Sequence, residues 1–188
     1  MTLEEIDIQI LVYLNSLGSE FWDPIWIILT NKTTYIPLFA FIVYYIYKRF
    51  GLKQTAFIIL FISILILFTD QFTNFIKDSF QRLRPCREGY LGLREIDIYC
   101  GKYGFFSAHA SNSFSLAIFF GLLFRDKYKH IISFTVLYAS LISYSRIYLG
   151  VHFPLDLLCG SLFGIIIGFI IFIFYDKQLN FFKFVNKS

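Results

Sequence analysis

The sequence predicts an all-α protein: a polytopic membrane helical bundle of five spans, preceded by an amphipathic interfacial helix. The count becomes six if residues 20–33 pair with the run that follows them. Three observations carry this. Of 188 residues, 57% are hydrophobic and 21% aromatic, with mean hydropathy +0.63, whereas soluble domains average roughly 45–50% apolar. Five long apolar runs recur along the chain, each bounded by charge. No Gly/Ser linker, low-complexity tract or internal repeat separates them, so the chain reads as one domain.

The first ten residues, MTLEEIDIQI, are acidic and lack the basic region of a cleaved signal. Leu3, Ile6, Ile10, Leu11 and Leu14 follow helical spacing, with Glu4, Glu5 and Asp7 opposite. That pattern predicts a helix lying in the membrane interface, apolar face inward. The next piece, FWDPIWIILT, is too short to span and holds both tryptophans, Trp22 and Trp26, which favour headgroup depth. Residues 1–30 are therefore read as interfacial.

The spans then follow at 34–47, 54–69, 113–124, 131–144 and 157–175. A crossing takes about 20 residues, so several runs must extend into flanking polar residues, as the second can into 70–80. Lipid tolerates only segments whose backbone is satisfied internally, which makes each span a helix. Lys48, Arg49 and Lys53, then Arg125, Lys127 and Lys129, then Lys177, Lys183 and Lys187 fall in two turns and the tail 176–188. The positive-inside rule places these in the cytoplasm, and the acidic N-terminal 33 residues outside. Alternation then forces the 70–106 segment outside despite its six Lys and Arg, so its cations need another explanation.

Three clusters share that outer face. KDSFQRLRP (77–85) ends the second span, with Lys77 and Arg84 two helical turns apart on one face. They could simply snorkel to lipid phosphates. FSAHASNSF (106–114) opens the third span, where Ser107 can cap the helix and leave its N–H dipole end outward. His109 there suits either a structural hydrogen bond or proton transfer. SRIYLGVHFPLD (145–156) joins the last two spans, and its His152 and Asp156 are one turn apart. A carboxylate so placed can hold Nδ1–H and leave Nε2 basic, the base–orienter logic of catalytic triads, although a buried His–Asp pair can also be structural. Together the clusters supply three cations, two histidines, a carboxylate and a helix N-terminus. That set suits a multiply charged anion, above all a phosphate. The net charge of +4 is too scattered for a nucleic-acid face.

KDSFQRLRP, FSAH and SRIYLGVHFPLD together resemble the three-part signature of the type 2 phosphatidic acid phosphatase superfamily, K-x6-RP, PSGH and SR-x5-H-x3-D. The first and third parts match at every signature position. The second has Phe106 for Pro and Ala108 for Gly. The resemblance implies that His152 attacks phosphorus, oriented by Asp156, through a phosphohistidine. It implies that His109 protonates the leaving group and then activates water. Lys77, Arg84, Arg146 and Ser107, with the backbone at Ala108, would hold the phosphoryl oxygens. It implies no metal and no cofactor, and a lipid phosphate as partner within the bilayer.

The exported loop holds Cys86 and Cys100, which an oxidising compartment would bridge; Cys159 lies within the last span. Asn74, one turn from Lys77, is a candidate to orient it. Arg82, Arg87, Arg94 and Lys102 read as a solvated basic rim, with binding of a lipid headgroup as the alternative. The expected activity is that of a bacterial inner-membrane lipid phosphatase facing the periplasm or cell exterior. Undecaprenyl diphosphate is the first expected substrate, with lipid A and phosphatidylglycerol phosphate as alternatives. A non-catalytic lipid-phosphate binder or transporter is the alternative of another class.

Overall fold

The computed structural model describes residues 1–90, 92–94, 96 and 99–185, with side chains withheld at Lys32 and 181–185. Among the described residues seven α-helices follow in order: α1 (Leu3–Ser16), α2 (Asp23–Thr30), α3 (Tyr35–Phe80), α4 (Pro85–Glu88), α5 (Ala108–Phe124), α6 (Ile131–Tyr148) and α7 (Pro154–Val185). Among the described residues, three helices are long and apolar enough to cross a membrane: Tyr35–Phe80, Ile131–Tyr148 and Pro154–Asn180. The 17-residue α5 is apolar but shorter.

The turn expected at 48–53 is instead helical backbone broken at one residue. Gly51 has φ 76° and ψ 172°, a conformation that glycine alone adopts without strain. Contacts on either side show that the chain reverses there. The first leg begins beside Thr30, whose hydroxyl meets Arg146, and reaches Tyr45 against Tyr128 (2.8 Å between hydroxyls). The second leg starts with Gln54 on the Tyr175 hydroxyl (3.3 Å) and returns through Thr69, bonded to Asn112 of α5. Ile46 and Ile58, one from each leg, share a core with Leu65, Phe119, Phe124 and Tyr175.

The helix α5 is the centre of the bundle, packed on α3, α6 and α7. Its seam with α7 is built from small residues at a spacing of four. Gly160, Gly164 and Gly168 face the carbonyls of Ser107, Ser111 and Ser115, and a Cβ on each glycine would sit 2.7, 2.4 and 2.5 Å from those oxygens. Between apolar helices, close backbone approach through such residues is the main source of attraction. The result for the site is positional: the start of α5 lies directly against the start of α7.

The helix α1 departs from the sequence reading. Its buried stripe is Asp7, Leu11 and Asn15, spaced by four, while Leu3 and Ile10 are 66% and 42% exposed. The helix turns a mixed face toward the protein, Leu11 with Ile8 and Leu14 packing inward between the buried polar Asp7 and Asn15, and packs on α6 and α7. Asn15 explains one end of it: Nδ2 donates to the Tyr148 carbonyl at 2.7 Å and Oδ1 accepts from Arg94 N–H at 2.7 Å. Trp26 of α2 stacks on Tyr148 and meets Tyr144 edge-on, whereas Trp22 is half exposed.

Candidate active site

Three segments converge where α3 ends and α5 and α7 begin. The segment between α6 and α7 turns at Gly150 (φ 65°), delivering His152 to the base of α7 with no solvent exposure. Asp156, one helical turn on, is likewise fully buried. Its Oδ2 lies 3.2 Å from His152 Nδ1 and accepts the Phe153 N–H at 3.1 Å. The imidazole is thus held from its Nδ1 side. Its Nε2 is buried and, among the described residues, makes no hydrogen bond.

The second segment is tied to the third through the backbone. Ser107 caps α5, its hydroxyl accepting the Ala110 N–H at 3.4 Å, and its own N–H donates to the Asp156 carbonyl at 3.0 Å. His109 lies in the first turn of α5, half-buried. Ala108 is the first residue of that helix and has no positive φ, so the backbone there accepts a Cβ where the family pattern has Gly. Phe106, in the place of Pro, is buried and packs against Phe72 and Phe163 at 6.4 and 5.1 Å between ring centroids.

The cations surround this centre. Lys77 closes the second leg of α3, and Arg84 donates from Nε to the Tyr103 carbonyl at 3.1 Å. Arg146, 7% exposed on α6, donates to the Thr30 hydroxyl and, among the described residues, leaves Nε without a hydrogen bond. Burial first, then the charges of Arg84, Arg146 and Lys77, hold the His152 imidazole well below its ordinary 6.5. Burial also lowers Arg84 from the usual guanidinium range. His152 therefore stands neutral in a field of fixed positive charge, a nucleophilic nitrogen beside groups suited to phosphoryl oxygens. Among the described residues, no three His, Cys, Asp or Glu side chains gather as a metal site.

Several functional neighbours escaped the sequence reading. Arg82 is not a solvated rim residue: Nη1 meets Asp156 Oδ1 at 3.0 Å and Nη2 meets Asp7 Oδ2 at 2.7 Å. Arg94 likewise pairs with Asp23, at 3.0 Å. Arg87 and Lys102 fit the rim better, Arg87 reaching only the Cys100 carbonyl. Gly104 passes so close that a Cβ would lie 2.8 Å from Asp156 Oδ2 and 3.6 Å from His152 Nδ1. Asp70 of the second leg, which the sequence reading passed over as a partner for Lys77, accepts from Asn112 Nδ2 at 2.7 Å and its charge acts on Lys77. The loop that carries Arg84 is closed by a Cys86–Cys100 disulfide and a bridge between Leu83 and Tyr103.

The model of the PAP2 superfamily matches residues 55–180, which contain all three segments. The chain belongs to the PAP2 superfamily. It is 38% identical over 178 residues to a lipid A 4'-phosphatase of Bacteroides thetaiotaomicron, covering 92% of this chain and 77% of that one. It is 31% identical over 184 residues to a lipid A 4'-phosphatase of Porphyromonas gingivalis, covering 91% and 73%. Among solved structures, Aquifex aeolicus LpxE is similar with TM-score 0.67 and 26% identity, over 91% of this chain and 98% of that one. A phosphatidylglycerolphosphate phosphatase from Bacillus subtilis shares the fold at TM-score 0.75 and 18% identity, over 93% and 87%.

Proposed function

We propose that this membrane phosphatase of the PAP2 superfamily removes the 4'-phosphate of lipid A at the outer face of a bacterial inner membrane. The chemistry rests on one observation: a buried His152 held at Nδ1 by Asp156, its Nε2 without a hydrogen bond among the described residues, with the charges of Lys77, Arg84 and Arg146 acting on it. The choice of lipid rests on the two lipid A 4'-phosphatases to which the chain is similar over more than nine-tenths of its length. They favour lipid A over the undecaprenyl diphosphate that the sequence alone put first.

The steps proposed are those that the family resemblance implies for these side chains. The Nε2 lone pair forms a bond to phosphorus as the bond from phosphorus to the sugar oxygen breaks. His109 gives that oxygen its proton, and the dephosphorylated lipid leaves. Water then attacks the phosphohistidine while His109 takes its proton, and the N–P bond breaks to release phosphate. The three cations, with the Ser107 hydroxyl and the first N–H groups of α5, hold the phosphoryl oxygens throughout. Asp156 keeps Nδ1 protonated and faces the positive charge that develops on the ring.

The two legs of α3 with α5, α6 and α7 support five crossings that leave the site at one membrane face. Leu3, Tyr13, Leu17, Phe21 and Trp22 are exposed around that end and suit burial at the interface, where a sugar phosphate lies. The deciding experiment offers purified protein lipid A, undecaprenyl diphosphate and phosphatidylglycerol phosphate in one detergent, with lipid products resolved by mass spectrometry. Loss of the 4'-phosphate is expected, falling at least about 1,000-fold in His152→Ala. Full activity in His152→Ala would overturn the mechanism, and turnover of only the other two lipids would overturn the substrate.

A further inference from the structure

We propose that Asp7 of α1 and Arg82 are positioning residues for the His152–Asp156 pair, which makes the amino-terminal helix a working part of the active site. The proposal rests on the reading that His152 is the nucleophile. Asp156 has two carboxylate oxygens with different partners: Oδ2 serves His152 and the Phe153 N–H, and Oδ1 takes Arg82 Nη1 at 3.0 Å. A carboxylate free to rotate would present either oxygen to the imidazole. The guanidinium removes that freedom, because its planar fork fixes where Oδ1 must lie.

Arg82 is itself held on two sides. Its second nitrogen meets Asp7 at 2.7 Å, and its face lies 3.9 Å from the Phe153 ring centroid. Asp7 is 4% exposed and uses its other oxygen, Oδ1, to accept the Leu155 N–H at 2.8 Å. Leu155 is in the first turn of α7, where N–H groups lack partners within the helix. One side chain of α1 thus caps the helix that begins beside His152 and anchors the arginine that orients Asp156. Leu11, one turn along α1, packs with Ile147, Phe153 and Leu157, and so fixes α1 to the same segment. A residue holding a surface helix in place would not need to share an arginine with the orienting carboxylate.

A carboxylate that acts through its neighbour affects the chemical step more than substrate binding. The test measures kcat and KM on detergent-purified protein eluting at the parent's volume, with His152→Ala alongside. Asp7→Asn keeps an oxygen for Leu155 N–H but removes the charge facing Arg82. It is expected to lower kcat about 10-fold, with KM within about two-fold. Arg82→Gln is expected to cost about 10–100-fold in kcat. The double variant should be no worse than Arg82→Gln within about two-fold, because Asp7 acts through Arg82. Should Arg82→Gln fail to fold, Arg82→Lys retains the charge without the fork and is expected to fall between Asp7→Asn and Arg82→Gln in kcat. A parent-like kcat in these variants while His152→Ala is inactive, losses that multiply, or a change confined to KM would overturn the proposal. Activity persisting in His152→Ala would overturn the underlying nucleophile instead, and the proposal with it.

Discussion

His152 sits where an imidazolium would be costly. It has no exposed surface, and Arg84, Arg146 and Lys77 all oppose a further positive charge. Protonation would consume the Nε2 lone pair, so a lowered value extends activity toward acid: the reactive form is lost only as pH falls through that lowered value. The acid limb of kcat/KM against pH is therefore expected below 6.5, since that limb reports the free enzyme's base. An acid limb at or above 6.5 would remove His152 as the base it reports. Arg146 provides a second test at this scale. Its guanidinium spends one nitrogen on Thr30 and, among the described residues, keeps Nε unpaired, a forked donor that an ammonium cannot reproduce. Arg146→Lys is expected to lower kcat/KM about 10–100-fold, the worth of one charge-assisted hydrogen bond. Kinetics within two-fold of the parent would show that charge alone suffices there.

At the level of the helices, the α5–α7 seam decides how close the second and third segments come. Ser107 at the head of α5 and Gly160 near the head of α7 touch through backbone, so the glycines of the seam set how closely the start of α5 approaches the start of α7. Gly164→Ala places a methyl 2.4 Å from the Ser111 carbonyl oxygen, and neither helix backbone can yield without shifting the other. Overpacking of this kind costs about 1–3 kcal/mol, expected as a lower melting temperature in detergent together with reduced activity. An unchanged melt would show that the seam has slack. The seam was present in the sequence as glycines every four residues, but within a uniformly apolar run period alone does not say which face meets a partner. The apolar runs themselves were legible because lipid demands length and hydropathy. The face of α1 was not: sequence pattern assigns carboxylates to water, and only the fold supplies the arginine that lets Asp7 be buried. Arg82 was misread for the same reason, its partners lying 75 and 74 residues away.

Across the whole molecule, the described residues that border the site from outside the bundle core belong to α1 and to the loop segments 81–90 and 99–107. The three family segments were readable because each has fixed internal spacing. The enclosure has no such signature, and was visible only as a pair of cysteines. That loop carries Arg84, which packs on Gly101 and donates to Tyr103, and ends at Gly104 against Asp156 and His152. Cys86 and Cys100 join its two strands of chain between these points. The bridge therefore limits how far Arg84 can move from His152, as well as restricting the unfolded chain. Closing a loop of this length is worth about 3 kcal/mol on the chain-entropy model. Reduction, or the Cys86→Ser/Cys100→Ser double variant, is expected to lower the melting temperature and weaken kcat/KM. Cys159→Ser, which breaks no disulfide, should match the parent. The enclosing role fails if both loop thiols alkylate freely in the unreduced protein, or if the double variant keeps the parent's melt and kinetics.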